Sequence, residues 1–196
     1  ELEELCEEIR SFLIRSVSQT GGHLSSNLGT VELSVALFSA FNFPQDVVLW
    51  DVGHQSYTYK ILTGRMQQFS TLRQKGGLSG FPSPEESEYD AFIAGHGNTA
   101  LSAAIGIATA KKIKKETGFV IAVIGDGAFT GGMVYEGLNN IPPSLDNLII
   151  VLNDNKMSIS KNVGAIPRYL TTLRTSPGYS HAKKTIEDVL EKTPFI

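Results

Sequence analysis

The sequence predicts an α/β domain, a mostly parallel β-sheet flanked by helices on both faces. Three observations lead there. Residues Phe119 to Ile124 and Leu148 to Leu152 are unbroken apolar runs rich in β-branched residues, as strands covered on both faces require. The stretch between them is long enough for one crossover helix, which makes a right-handed strand-helix-strand unit. Each run ends in polar residues, Gly125-Asp126-Gly127 after the first and Asn153-Asp154-Asn155 after the second. Both polar tips then fall at the carboxyl edge of one sheet, where open α/β folds bind ligands.

The remaining elements follow in order. Leu5, Ile9, Phe12, Leu13 and Val17 recur at helical spacing and predict a helix over 2–18. Residues 21–29 read as a polar, glycine-bearing loop. Thr30 is placed as the N-cap of a second helix that buries Leu33, Leu37 and Phe38. Val47 to Trp50 reads as a short strand ending at Asp51-Val52-Gly53-His54-Gln55, and Tyr57 to Thr63 as a helix stopped by Gly64. A loop over 75–90 carries Gly76-Gly77, Pro82, Pro84 and the acidic Glu85, Glu86 and Glu88. Loops of that length in a compact domain serve as lids or oligomer contacts. Gly95-His96-Gly97-Asn98-Thr99 introduces a small-residue helix from Ala100 to Lys115. Strand 119–124, helix 130–140 and strand 147–152 complete the pattern. From about residue 161 the tail reads as irregular, with a last helix near 181–192.

Composition bounds the function. A chain of 196 residues with 41% hydrophobic content supports one domain with a substantial core. Its net charge of −3 offers no broad electrostatic footprint for nucleic acid. The basic cluster Lys111, Lys112, Lys114 and Lys115 closes a helix, where cations complement the dipole. Cys6 stands alone, which excludes a disulfide framework and fits a reducing cytosol. No apolar stretch reaches transmembrane length. The chain opens at Glu1 and stops just after a helical pattern, which predicts a piece of a longer polypeptide.

The glycine-aspartate turn carries the chemistry. It is not the dinucleotide G-x-G-x-x-G pattern, since the sixth position is Thr130, and no Lys-Ser or Lys-Thr makes it a P-loop. Asn153 and Asn155 lie 27 and 29 positions beyond Asp126, a spacing that returns the chain to an adjacent strand tip. An acid and carboxamides beside a glycine turn can hold a small hard cation and the phosphates that ride on it. A magnesium-diphosphate cofactor is therefore expected. His23, His54 and His96 each sit in a loop beside glycine, able to donate to phosphate oxygens or to move a proton. His181 reads as surface. Lys60 and Arg65 could bind a substrate phosphate, but exposed helix-end charges are the simpler reading. Glu136 could be catalytic, but a solvated or capping role is the simpler reading.

The unit from Gly125-Asp126-Gly127 to Asn153-Asp154-Asn155 resembles the thiamine diphosphate-binding motif of transketolase-like enzymes. Longer stretches resemble the 1-deoxy-D-xylulose-5-phosphate synthase family, covering the chain to about Ala165. They are Gly22 to Leu33, Trp50 to Tyr57, Lys60 to Arg65, Arg73 to Leu78 and Asn153 to Ser160. The resemblance implies a thiamine diphosphate-binding fold, with residues 1–196 as one diphosphate-binding domain. It implies Asp126 and Asn155 as side-chain ligands of Mg2+, with the Met157 carbonyl as a third. Gly127 and Ala128 would offer backbone amides to the diphosphate, and Asn155 would also touch the cofactor. His54 and Gly95-His96-Gly97 would approach it from the other side, and His23 would be catalytic, helping proton transfer.

The family reaction joins pyruvate to D-glyceraldehyde 3-phosphate with loss of carbon dioxide, in the cytoplasm and in a homodimer. Its product feeds isoprenoid, thiamine and pyridoxal phosphate synthesis. The family's cofactor-activating glutamate lies in a separate pyrimidine-binding domain, so these 196 residues alone are expected to be inactive. The chain departs from the family at two places: Gly97-Asn98-Thr99-Ala100 stands where serine-rich residues are usual, and Tyr59 where histidine is common. Two other readings stay open, one subunit of a split transketolase or a non-catalytic module retaining the fold.

Overall fold

The computed structural model describes residues 1–154, 169, 172 and 175–192. The chain divides into two compact units, Glu1–Met157 and Ser158–Ile196. In the first unit, helix α1 spans Leu2–Thr20 and turns Cys6, Ile9, Leu13 and Val17 inward, while Leu5 stays at the rim. A short helix α2, Leu24–Leu28, replaces the loop expected there. Helix α3 follows at Val31–Ala40, strand β1 at Val47–Trp50 and helix α4 at Tyr57–Lys60. The chain then tightens through a π turn, Ile61–Arg65, and a 3-10 turn, Met66–Thr71. Gly64, at φ 84°, breaks the helical path where the sequence placed a stop.

Helix α5 spans Ala100–Lys114, strand β2 Val120–Gly125, helix α6 Gly132–Asn139 and strand β3 Leu148–Asn153. In the second unit, helix α7 spans Pro177–Lys192 and carries His181, which is exposed as expected. The irregular tail expected from about 161 falls mostly outside the described residues. No helix among the described residues is long and apolar enough to cross a membrane.

The three strands lie in the order β1-β2-β3, all parallel, with Trp50 opposite Val123 and Gly125 opposite Asn153. Strand alternation sends Leu49, Val120, Ala122 and Ile124 to one face, where Leu101, Ala104 and Ala108 of α5 and Val134 of α6 cover them. Val48, Trp50, Ile121 and Val123 occupy the other face, against Leu37 of α3 and Tyr59 of α4. Helix α3 is apolar around most of its circumference because it is sandwiched. Val31 and Val35 pack with Leu13 and Val17 of α1, while Leu37 packs on the sheet. The crossover helix α5 runs against the strands, so it starts at their carboxyl edge, as does α6 after β2. The loops after β1 and β2 and the loop before α5 therefore lie on one rim.

Candidate active site at the carboxyl edge of the sheet

At the tip of β1, the Asp51 amide continues the ladder by donating to the Val123 carbonyl at 2.8 Å. Its carboxylate is buried and turns toward α5, accepting from the amides of Asn98 at 2.9 Å and Ala100 at 3.1 Å. A carboxylate at a helix start satisfies orphan amides and complements the dipole. Asp51 thereby fixes the loop over 95–99 beside β1. The next residue, Val52, has φ 61°, a left-handed conformation that is costly for a β-branched side chain and concentrates at functional sites. Gly53 follows at φ 83°. A Cβ there would meet Pro82 Cδ at 2.6 Å and Ala94 Cβ at 2.7 Å, so only glycine fits.

This turn presents His54 to His23. Their ring centroids lie 5.2 Å apart at 74°, an edge-on contact. One buried carboxamide holds both loops: the Asn27 Nδ2 group donates to the carbonyls of His23 at 2.6 Å and His54 at 2.8 Å. Its Oδ1 accepts from the Tyr57 amide at 2.7 Å. Thr30 occupies the predicted cap position, but its hydroxyl makes no capping bond; it donates to the Gln55 carbonyl at 2.9 Å. Burial, then the Arg73 guanidinium 3.5 Å from its Nδ1, holds the His23 pKa below the ordinary histidine value. His54 is also lowered, by burial first and then by His23, with Asp51 opposing. Two neutral imidazoles in contact can pass or share a proton at neutral pH.

At the tip of β2, Asp126 pairs with the end of β3 through its amide, which donates to the Asn153 carbonyl at 3.1 Å. The chain then winds into a 3-10 turn, Ala128–Thr130, closed by Gly131 N–H to the Ala128 carbonyl at 3.1 Å. The first amides of such a turn have no partner within it, which suits an anion. Gly125, Asp126, Gly127 and Ala128 are all partly buried. The 95–99 loop bridges the two tips, because the Asn98 side chain lies directly on Gly131 and a Cβ there would overlap it. Within that loop His96 is exposed, while Gly95 and Gly97 are partly buried.

Asn155 and Met157, the other expected magnesium ligands, lie outside the described residues. Among the described residues no group of three or more His, Cys, Asp and Glu could hold a metal. The expected site has one carboxylate, so the two observations are compatible. One feature of the residues present fits a diphosphate cofactor: His54 Nδ1 and Trp50 Nε1, both able to donate, are buried without hydrogen-bond partners at the β1 tip. Asn98 Oδ1 and Gln55 Oε1 are also without partners, but as acceptors they suit a donor group and not a phosphate oxygen. Buried polar atoms without partners cost free energy that a polar ligand can recover.

Lys60 and Arg65 are neither a phosphate site nor exposed helix-end charges. Both are buried, at 0% and 4% exposure, in ion pairs with Glu86 and Asp90. Glu136, on α6, is exposed. Tyr59 points its hydroxyl away from the rim, donating to the Tyr89 carbonyl at 2.6 Å. Asn27 and Asp51 were missed as site residues by sequence reasoning. Asp51 carried a signal, an acid between a strand and a glycine; Asn27, an amide between leucines, carried none.

The fold and its glycine-bearing rim define a transketolase-like α/β domain. Transketolase from Leishmania mexicana superposes with a TM-score of 0.73 at 18% identity, covering 87% of this chain and 31% of that one. A transketolase from Pichia stipitis gives 0.71 at 21% identity. Within that class, the chain belongs to the 1-deoxy-D-xylulose-5-phosphate synthase family, whose N-terminal model matches residues 1–195. It is 57% identical over its whole length to the synthase of Syntrophomonas wolfei, and 58% identical to those of Alkaliphilus oremlandii and Clostridium perfringens. It spans 31–32% of the length of these relatives.

Proposed function

We propose that this chain forms the diphosphate-holding part of a synthase that condenses pyruvate with D-glyceraldehyde 3-phosphate, releasing carbon dioxide and yielding 1-deoxy-D-xylulose 5-phosphate. The family match over residues 1–195 is the observation that carries the reading. The convergence of the β1 and β2 tips on one rim supports it. Thiamine diphosphate, when bound, supplies the carbanion chemistry. The chain's own residues position it. The Asp126 carboxylate, the Asn155 side chain and the Met157 carbonyl would hold Mg2+. The amides of Gly127 and Ala128 would bind diphosphate oxygens, and His54 and the segment Gly95-His96-Gly97 would also contact the cofactor. His23 moves a proton at the substrate, aided by the lowered pKa that keeps its ring neutral and able to accept.

The remaining polypeptide supplies the cofactor-activating glutamate and much of the acceptor site, in a cytoplasmic homodimer. Residues 1–196 alone are then inactive. The test is a carboligation assay on the full-length protein with and without thiamine diphosphate and Mg2+. Product that depends on both supports the reading; a full-length protein that binds the cofactor yet forms no product from these substrates overturns it.

A further inference from the structure

The segment over 79–83 forms the wall behind the two histidines. Phe81 lies 6.2 Å from the His23 ring, between centroids, and Pro82 fills the space against Gly53, next to His54. Four buried or nearly buried charges hold that segment. The Lys60 ammonium meets Glu86 Oε2 at 2.5 Å, and the Arg65 guanidinium grips Asp90 through two bonds of 2.6 and 2.9 Å. Cross contacts of 3.4 Å from Arg65 to Glu86 and 3.9 Å from Lys60 to Asp90 join the pairs into one cluster. Each carboxylate also reaches the segment's backbone. Glu86 accepts from the Ser79 amide, and Asp90 from the Ser83 amide at 2.9 Å. The charges balance, and both cations are spent on carboxylates, so the cluster has no capacity for a substrate anion.

Buried ion pairs contribute little net stability relative to packed apolar groups, but their bonds are directional and admit one arrangement. Here both carboxylates anchor the ends of a five-residue strap whose middle touches the histidine loops. We propose that Lys60, Arg65, Glu86 and Asp90 are positioning residues for His23 and His54, acting through Phe81 and Pro82. This rests on the functional reading for the meaning of the histidines, but not for the coupling itself. His23 is faced by His54 from the β1 tip, by Arg73, by Phe81 and by the Tyr57 hydroxyl, 3.5 Å from the His23 amide. Phe81 belongs to the strap itself, and Arg73 and the Tyr57 hydroxyl lie beside its Gly80.

The test uses the full-length protein and two conservative changes. Glu86→Gln keeps an acceptor for the Ser79 amide while removing the charge, and Arg65→Lys removes the two-bond grip on Asp90. Diethyl pyrocarbonate modification of His23, followed across pH by peptide mass spectrometry, reads the ring's titration midpoint. Both variants should shift that midpoint toward the ordinary histidine range. They should lower kcat by about tenfold or more with little change in the KM of either substrate, as a small misplacement of a catalytic group does. Phe81→Ala leaves the cluster intact and carries the same expectation if either charge variant fails to fold. Folded variants whose His23 midpoint matches the parent overturn the proposal, whatever their turnover. A parent that makes no product would refute the functional reading while the midpoint comparison still decides the coupling.

Discussion

The two strand tips of the site are built differently. At β1 several neighbours are tied by buried side-chain bonds: Asp51 to the start of α5, Asn27 across both histidine loops, and the ionic cluster behind Phe81. At β2 the turn from Gly125 to Thr130 closes largely on itself, through the Thr130 amide and hydroxyl on the Gly127 carbonyl and Gly131 N–H on the Ala128 carbonyl. Its residues are partly buried or exposed. The histidine wall is held by side-chain bonds from several elements, whereas the bonds of the carboxylate turn run mainly through its own backbone. The contrast puts most of the side-chain scaffolding at the β1 tip and most of the backbone closure at the β2 tip.

The largest expected effect breaks that contrast at β1. Asp51→Ala leaves the buried amides of Asn98 and Ala100 without an acceptor, at a cost of about 3 kcal/mol. Asp126→Ala, at a partly buried turn that keeps its backbone bond to β3, should cost less than that. Urea denaturation of both variants checks the pair. Equal destabilisation would dissolve the distinction between the two tips.

A smaller effect comes from pH. Both histidines have folded-state pKa values below the unfolded value of about 6.5. The unfolded chain therefore binds more protons just below that pH. Their contribution to stability is whole above about pH 6.5 and is lost as the pH falls toward the depressed folded values. The urea midpoint should fall between pH 7.5 and 5.5, and His54→Gln should make that fall shallower. An unchanged slope would remove His54 from the account.

Much of this arrangement was legible in the sequence, for reasons specific to each element. β2 and β3 fall within one residue of their predicted bounds, because long apolar runs with polar ends admit few alternatives. The His23 and His54 loops were marked by glycine, and the structure puts their rings in contact. The region behind them was not legible. Lys60 and Arg65 are cationic residues near a helix end, and their carboxylate partners lie 21 to 26 positions further along, inside a stretch read as an open loop. Helix α2 was hidden by its glycine-rich flanks, whereas the break at Gly64 was marked by the glycine itself.

The proposal that matters most is that the Asp126 turn would hold Mg2+ and the diphosphate of the cofactor. Titration calorimetry of thiamine diphosphate with Mg2+ into full-length Asp126→Ala protein tests it most directly. The account predicts affinity reduced by about a hundredfold or more in a protein that still folds. Binding as tight as the parent's would contradict it.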